Sequence, residues 1–154
     1  WNMWTPDKVA SRRGNDNRIL AFRLDGGATP IPPELPPVGP LHEPPAQTAQ
    51  AADINAGAEL FGAYCGSCHA NMDRAPVPDL RRSPLIREAS AFAGVVHAGA
   101  LMKRGMPAFD DLLSVEQVEQ IRAHVVNVAR QAWAAQQGGA APQPAASATT
   151  EGHL

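Results

Sequence analysis

The chain has 154 residues, 44% of them hydrophobic, with 13 basic and 15 acidic side chains and a formal net charge of -2. So even a balance excludes the positive excess that binds nucleic acid or an acidic membrane surface, and no run of about eighteen apolar residues exists to span a bilayer. Fifteen prolines, eight of them between Pro30 and Pro45, and only two cysteines indicate a small domain with long appendages.

In chain order, residues 1–28 open with "WNMWTPDK", which has neither an initiator methionine nor the basic-then-apolar pattern of a signal peptide, so the chain is taken as a fragment or a processed chain. Within this stretch "RILAFRL", residues 18–24, alternates with Leu20, Phe22 and Leu24 on one face, and Asp25-Gly26-Gly27 signals a turn. A lone strand is not stable in water, so the segment is expected to belong to a sheet whose other strands are mostly missing. "WNMW" is either another strand of that sheet or a sticky terminal segment.

Residues 29–51 read as a linker. "TPIPPELPPVGPLHEPPA" cannot form a helix or an interior strand, because proline lacks the amide donor and holds its predecessor extended. At roughly 3 Å per residue it is expected to act as a semi-rigid tether between units that share no core.

A helical domain is expected over 52–137. Asp53 is placed as N-cap of a first helix carrying Ile54, Ala58, Leu60 and Phe61, which ends where the cysteines begin. "SAFAGVVHAGA" supplies a second, with Phe92, Val95 and Val96 inward. Ser114 and Gln117 form a capping-box pattern ahead of a third, where Val118, Ile121, Val125 and Val128 recur at helical spacing until Gly138-Gly139. The tail, 138–154, is low in bulky apolar residues and is expected to be disordered.

Both cysteines lie in "GAYCGSCHAN", with a histidine directly after the second. Zinc would need a second ligand pair, and His42, His97, His124 and His153 could supply only single ligands. A redox dithiol would want a strand before the first cysteine, where a helix is expected instead. Covalent haem uses every part: Cys65 and Cys68 as thioethers to the two vinyl groups, and His69 as an axial ligand of the iron. The cofactor would also add the apolar surface that so small a domain lacks.

Four methionines could close the sixth iron position. Met72 lies too near His69, and Met3 lies beyond the tether. Met106 sits in "RGMPAF", where Gly105 relaxes and Pro107 stiffens the backbone; Met102, the alternative, is expected to finish a helix. A thioether opposite histidine stabilises ferrous iron and closes it to oxygen, which favours electron transfer over catalysis. In "APVPDL" the Pro78 carbonyl is expected to hold the His69 imidazole, with Leu80 packing on the ring. Arg81 and Arg82 are read either as partners for a haem propionate or as a solvated surface pair. Phe61, Tyr64, Phe92 and Phe109 are expected to be helix-packing residues rather than electron relays.

With the motif, "VPDL" and "GMP" in this order, residues 52–137 resemble a class I c-type cytochrome domain, a mainly α fold wrapped around covalent haem. "LFGAYCGSCH", "VPDLRRSP", "VVHAGAL", "RGMPAFDDLLS" and "QIRAHV" together look like the haem domain of quinohaemoprotein alcohol dehydrogenases. "NRILAFRLDG" before a proline-rich linker is similar to the last strands of that family's eight-bladed β-propeller. The resemblance implies pyrroloquinoline quinone (PQQ) and calcium in a propeller upstream of Trp1, oxidation of an alcohol there, and single electrons passing through haem c to an external acceptor: a copper protein, a cytochrome or a quinone. It implies a periplasmic location, and a segment that oxidises no alcohol by itself. The alternative is a free-standing electron carrier with an N-terminal arm; a third reading, a haem enzyme or gas sensor, would need an open distal site.

Overall fold

A computed structural model describes residues 23–28, 33–34, 38–69 and 77–138. The chain divides into two compact units, Trp1–Gly39 and Pro40–Leu154. In the first, the Gly26 amide donates to the Arg23 carbonyl at 3.1 Å, so the turn centres on Leu24 and Asp25, one residue earlier than the Asp25-Gly26-Gly27 signal suggests. The strand expected over 18–24 lies outside the described residues apart from Arg23 and Leu24, and the described residues contain no strand. Leu24, expected on a sheet face, is fully exposed.

The second unit is helical: α1 (Ala51–Tyr64), α2 (Ala89–Val96) and α3 (Val115–Gly138), with 3-10 turns at Leu80–Arg82, Pro84–Arg87 and Met102–Arg104. Helix α1 starts earlier than expected. Gln50 is its N-cap without a side-chain capping bond, and Asp53 sits inside the first turn. There its charge complements the positive end of the helix. The carboxylate is engaged elsewhere, because Asp53 Oδ1 accepts a 3.1 Å bond from Gln120 Nε2 of α3.

Asp53, Gly57 and Phe61 are spaced four apart and so share a face of α1, and each meets α3. Gly57 makes the closest approach: a Cβ there would lie 1.9 Å from the Gln120 carbonyl oxygen. Phe61 is buried and its ring centroid is 5.2 Å from that of His124. Burial lowers the His124 pKa from its ordinary 6.5. A histidine that is harder to protonate in the fold destabilises it once the unfolded chain takes up the proton. Stability is therefore expected to fall as pH drops below about 6.5. His124→Phe should remove that part of the loss in denaturation curves recorded from pH 7.5 to 5.

The start of α3 is the expected capping box in both directions: the Gln117 amide donates to Ser114 Oγ at 3.1 Å and the Ser114 amide to Gln117 Oε1 at 2.9 Å. Its buried residues are Val118, Ile121, Ala123, Val125, Val126 and Ala129. Val128, expected inward, is only half-buried. Ile121 is fully buried at the centre of this core, so Ile121→Ala is expected to lose about 3 kcal/mol in urea unfolding. The helix runs through Gly138, and residues 139–154 lie outside the described residues.

Helix α2 ends at Val96, short of the expected Ala100. Gly99, at φ +70, reverses the chain, and a Cβ on it would stand 2.7 Å from Ala108 Cβ. Met102 accordingly opens a 3-10 turn rather than finishing a helix. Gly105 closes that turn at φ +92, a left-handed conformation that favours glycine.

Residues 40–50 belong to the helical unit. Proline-rich backbone has carbonyls with no partner of its own, and side chains from the helical region supply donors. Arg82 donates to the Pro40 carbonyl, Arg87 to Glu43 and Arg130 to Pro45, while Gln47 Nε2 donates to the Ala123 carbonyl. Among the described residues, no helix is long and apolar enough to cross a membrane.

Candidate functional site

The cysteine motif begins where α1 runs out of helix. Cys65 is the C-cap, and its amide and that of Gly66 both donate to the Phe61 carbonyl, at 2.9 and 2.8 Å. The next turn is closed by the amides of Cys68 and His69, which donate to the Cys65 carbonyl at 3.1 and 2.8 Å. The thiols and the imidazole are thus carried on a backbone anchored to buried Phe61. Neither cysteine is in a disulfide; Cys65 is buried and Cys68 exposed. Burial, with a smaller push from Cys68, raises the Cys65 thiol to about 11. That direction is opposite to the lowered thiol of a dithiol oxidoreductase. Among the described residues no three His, Cys, Asp or Glu side chains gather into a metal-binding group.

His69 is placed by an atom nine residues away. Its Nδ1 lies 2.9 Å from the Pro78 carbonyl oxygen. A carbonyl can only accept, so Nδ1 is the donor in this bond, and Nε2 is the ring nitrogen left to face a metal.

The residue after Pro78 supplies what composition does not reveal. Asp79 is 8% exposed, the one buried charged side chain among the described residues. Its Oδ1 accepts the Arg81 backbone amide at 3.0 Å and so caps the Leu80–Arg82 turn. The Arg81 guanidinium closes on both carboxylate oxygens, Nε at 2.9 Å from Oδ1 and Nη2 at 2.8 Å from Oδ2. Desolvation pushes the Asp79 pKa up, but the bonds and charge of Arg81, with the charge of Arg82, outweigh it and hold the carboxyl below its ordinary value. Arg81 and Arg82 are therefore not a solvated surface pair. A carboxylate whose folded pKa is depressed stabilises fully above its unfolded value, and that contribution is lost as pH falls through the folded one. Asp79→Asn is expected to flatten the acid limb of stability below about pH 4, measured by chemical denaturation.

Leu80, Leu85, Met106 and Phe109 are partly buried and pack against the core that includes Cys65. Met106 lies in a loop tied down by the Phe109 amide, which donates to the Val96 carbonyl at 3.0 Å. Met102 is 61% exposed. Met3 and Met72 lie outside the described residues. Of the aromatics expected to pack, Phe61 and Phe92 are buried, whereas Tyr64 is 38% exposed and meets Phe109 edge-on at 6.2 Å. Gly57 and Asp79 were not singled out from sequence.

The family model described as cytochrome C oxidase, cbb3-type, subunit III matches residues 52–125. Cytochrome c6 of Gracilaria tenuistipitata var. liui is 34% identical over 93 residues, covering 56% of this chain and 83% of that protein. The chain belongs to the cytochrome c family, and its helical unit is a cytochrome c electron-transfer domain. Among dehydrogenase relatives, quinohemoprotein alcohol dehydrogenase ADH IIB of Pseudomonas putida is 40% identical over 116 residues, covering 73% of this chain and 16% of that enzyme. The solved structure of quinohemoprotein alcohol dehydrogenase ADHIIG from Pseudomonas putida HK5 matches with a TM-score of 0.55 and 32% identity, over 73% of this chain and 16% of its own. The chain thus spans about one sixth of these dehydrogenases.

A cytochrome c domain implies haem c, and the residues present fit it. Two cysteines outside any disulfide are separated by two residues, the imidazole beside them has its Nδ1 already engaged, and half-buried apolar side chains adjoin the Cys65 region.

Proposed function

We propose that this chain transfers electrons through a haem held covalently by Cys65 and Cys68, with His69 and Met106 as axial ligands, in the service of a PQQ-dependent alcohol dehydrogenase. The observation that carries the reading is the Cys-x-x-Cys-His turn at the end of α1, with His69 Nδ1 already bonded to the Pro78 carbonyl. That bond fixes the tautomer and orientation in which Nε2 would bind iron, and it makes the imidazole a stronger donor. Met106 is favoured over Met102 because it is half-buried against the core while Met102 is mostly exposed. When bound, haem supplies a one-electron couple, and a thioether ligand closes its iron to small molecules. Leu80 would pack against the porphyrin. Arg81, held rigid by Asp79, would place positive charge near the propionates.

The kinship with quinohaemoprotein dehydrogenases supports a quinone-bearing propeller, with PQQ and calcium, as electron donor. The acceptor would be a copper protein, a cytochrome or a quinone, in the periplasm. Residues 1–28 would then end the propeller, 29–51 would link it to the haem domain at 52–137, and this segment alone would oxidise no alcohol.

A second reading, a free-standing carrier, is favoured by the cytochrome c6 match over 83% of that small protein. The intact mass of the native gene product separates the two: a product several times larger than this chain, with alcohol-dependent haem reduction, is expected. A native protein no larger than this chain would favour the carrier.

A further inference from the structure

A fully packed site needs no buried charge, yet a carboxylate sits beside the one carbonyl that holds the proximal histidine. Burying a carboxylate is unfavourable unless it is paired and hydrogen-bonded, and an apolar residue of similar size would often serve stability as well. Asp79 makes four bonds with Arg81: its carboxylate accepts the backbone amide once and the guanidinium three times. Its own carbonyl accepts the Arg82 amide at 3.1 Å. Together these hold residue 79 at φ -66 and ψ 112 and set the start of the 3-10 turn. The peptide that joins Pro78 to Asp79 carries the carbonyl 2.9 Å from His69 Nδ1. Proline fixes φ at residue 78, so the remaining freedom of that carbonyl lies in rotation of this peptide, and the bonds to Asp79 remove it.

Resting on the haem reading above, we propose that Asp79, clamped by Arg81, is the positioning residue for the proximal imidazole: it fixes the Pro78 carbonyl so that the His69 Nδ1–H bond stays made. The pair does not touch the iron ligand; it acts through one peptide group. A well-made bond at Nδ1 gives the imidazole more anionic character and favours ferric iron. Loosening the peptide therefore weakens the bond, frees the Nδ1 proton to exchange, and raises the reduction potential.

The test uses the haem-loaded chain. Exchange of the His69 Nδ1 proton is followed by NMR on protein labelled at histidine nitrogen, beside the midpoint potential and the melting temperature, for wild type, Asp79→Ala and Asp79→Asn. Asp79→Ala is expected to exchange roughly tenfold faster and to show a higher potential. Asp79→Asn keeps an oxygen for the Arg81 amide, so it should exchange at a rate between the two, although it loses the same charge as alanine. A lower melting temperature with wild-type exchange in both variants would show a merely structural ion pair and overturn the proposal. So would equal exchange in Asn and Ala, which would reduce the effect to charge. If Asp79→Ala does not mature, Arg81→Lys, which keeps the charge but loses the planar fork, must accelerate exchange in the same direction; no acceleration overturns the proposal. A wild-type protein without thioether-bound haem overturns the reading underneath, and this one with it, before any variant is compared.

Discussion

Gly57→Ala is expected to destabilise the domain by about 3 kcal/mol, although alanine is the better helix former by roughly 1 kcal/mol. The added methyl would stand 1.9 Å from the Gln120 carbonyl oxygen and 2.4 Å from its carbon. Both are backbone atoms inside α3, so no side chain can swing away; the helices must separate. Separation would also disturb the Asp53–Gln120 bond and the Phe61–His124 contact on the same face. Gly62→Ala, on the same helix with nothing within 4 Å of its new methyl, is the control and should be neutral or stabilising. Urea unfolding of both variants checks the contrast. Equal midpoints would mean that the two helices do not meet at Gly57.

The second large effect is chemical. Met106→Ala is expected to turn a closed iron into an open one: the reduced variant should bind carbon monoxide readily where wild type binds it poorly, and the weak sulfur-to-iron band of the oxidised protein should vanish. Met102→Ala should leave both properties unchanged, since Met102 is mostly exposed and Met106 packs against the core. Carbon monoxide binding in Met102→Ala but not in Met106→Ala would exchange the roles of the two residues.

What the sequence revealed, and what it hid, follows from the range of the interactions involved. The Ser114–Gln117 box was legible because both partners lie within one helical turn. So was the Cys65-to-His69 cluster as a local unit, which the structure carries on one turn at the end of α1. Gly105 was legible as a backbone device, and its positive φ is the physical reason. Asp53 was misplaced as a cap because its partner, Gln120, is 67 residues away. Gly57 was missed for the same reason. A glycine inside an apolar helix does carry a signal, a local cost that demands a packing reason, but only the opposite helix shows what the reason is. In "VPDLR" the roles expected from sequence fall on Pro78, Leu80 and Arg81, and none on Asp79 between them. An Asp one residue before a short turn and two before an arginine is a readable capping pattern, whereas its burial is a tertiary fact. Proline-rich composition likewise says that residues 40–50 cannot bond to themselves. It says nothing of Arg82, Arg87 and Arg130, which supply donors from 42 to 85 residues away.

The most direct test of the central claim is the intact mass of the matured chain after denaturation and acid-acetone extraction, read beside a haem-stained gel. One haem retained on the polypeptide, and lost from the Cys65→Ala, Cys68→Ala double variant, is the predicted result. Pigment that extracts freely from the wild type, leaving the bare chain mass, would contradict it.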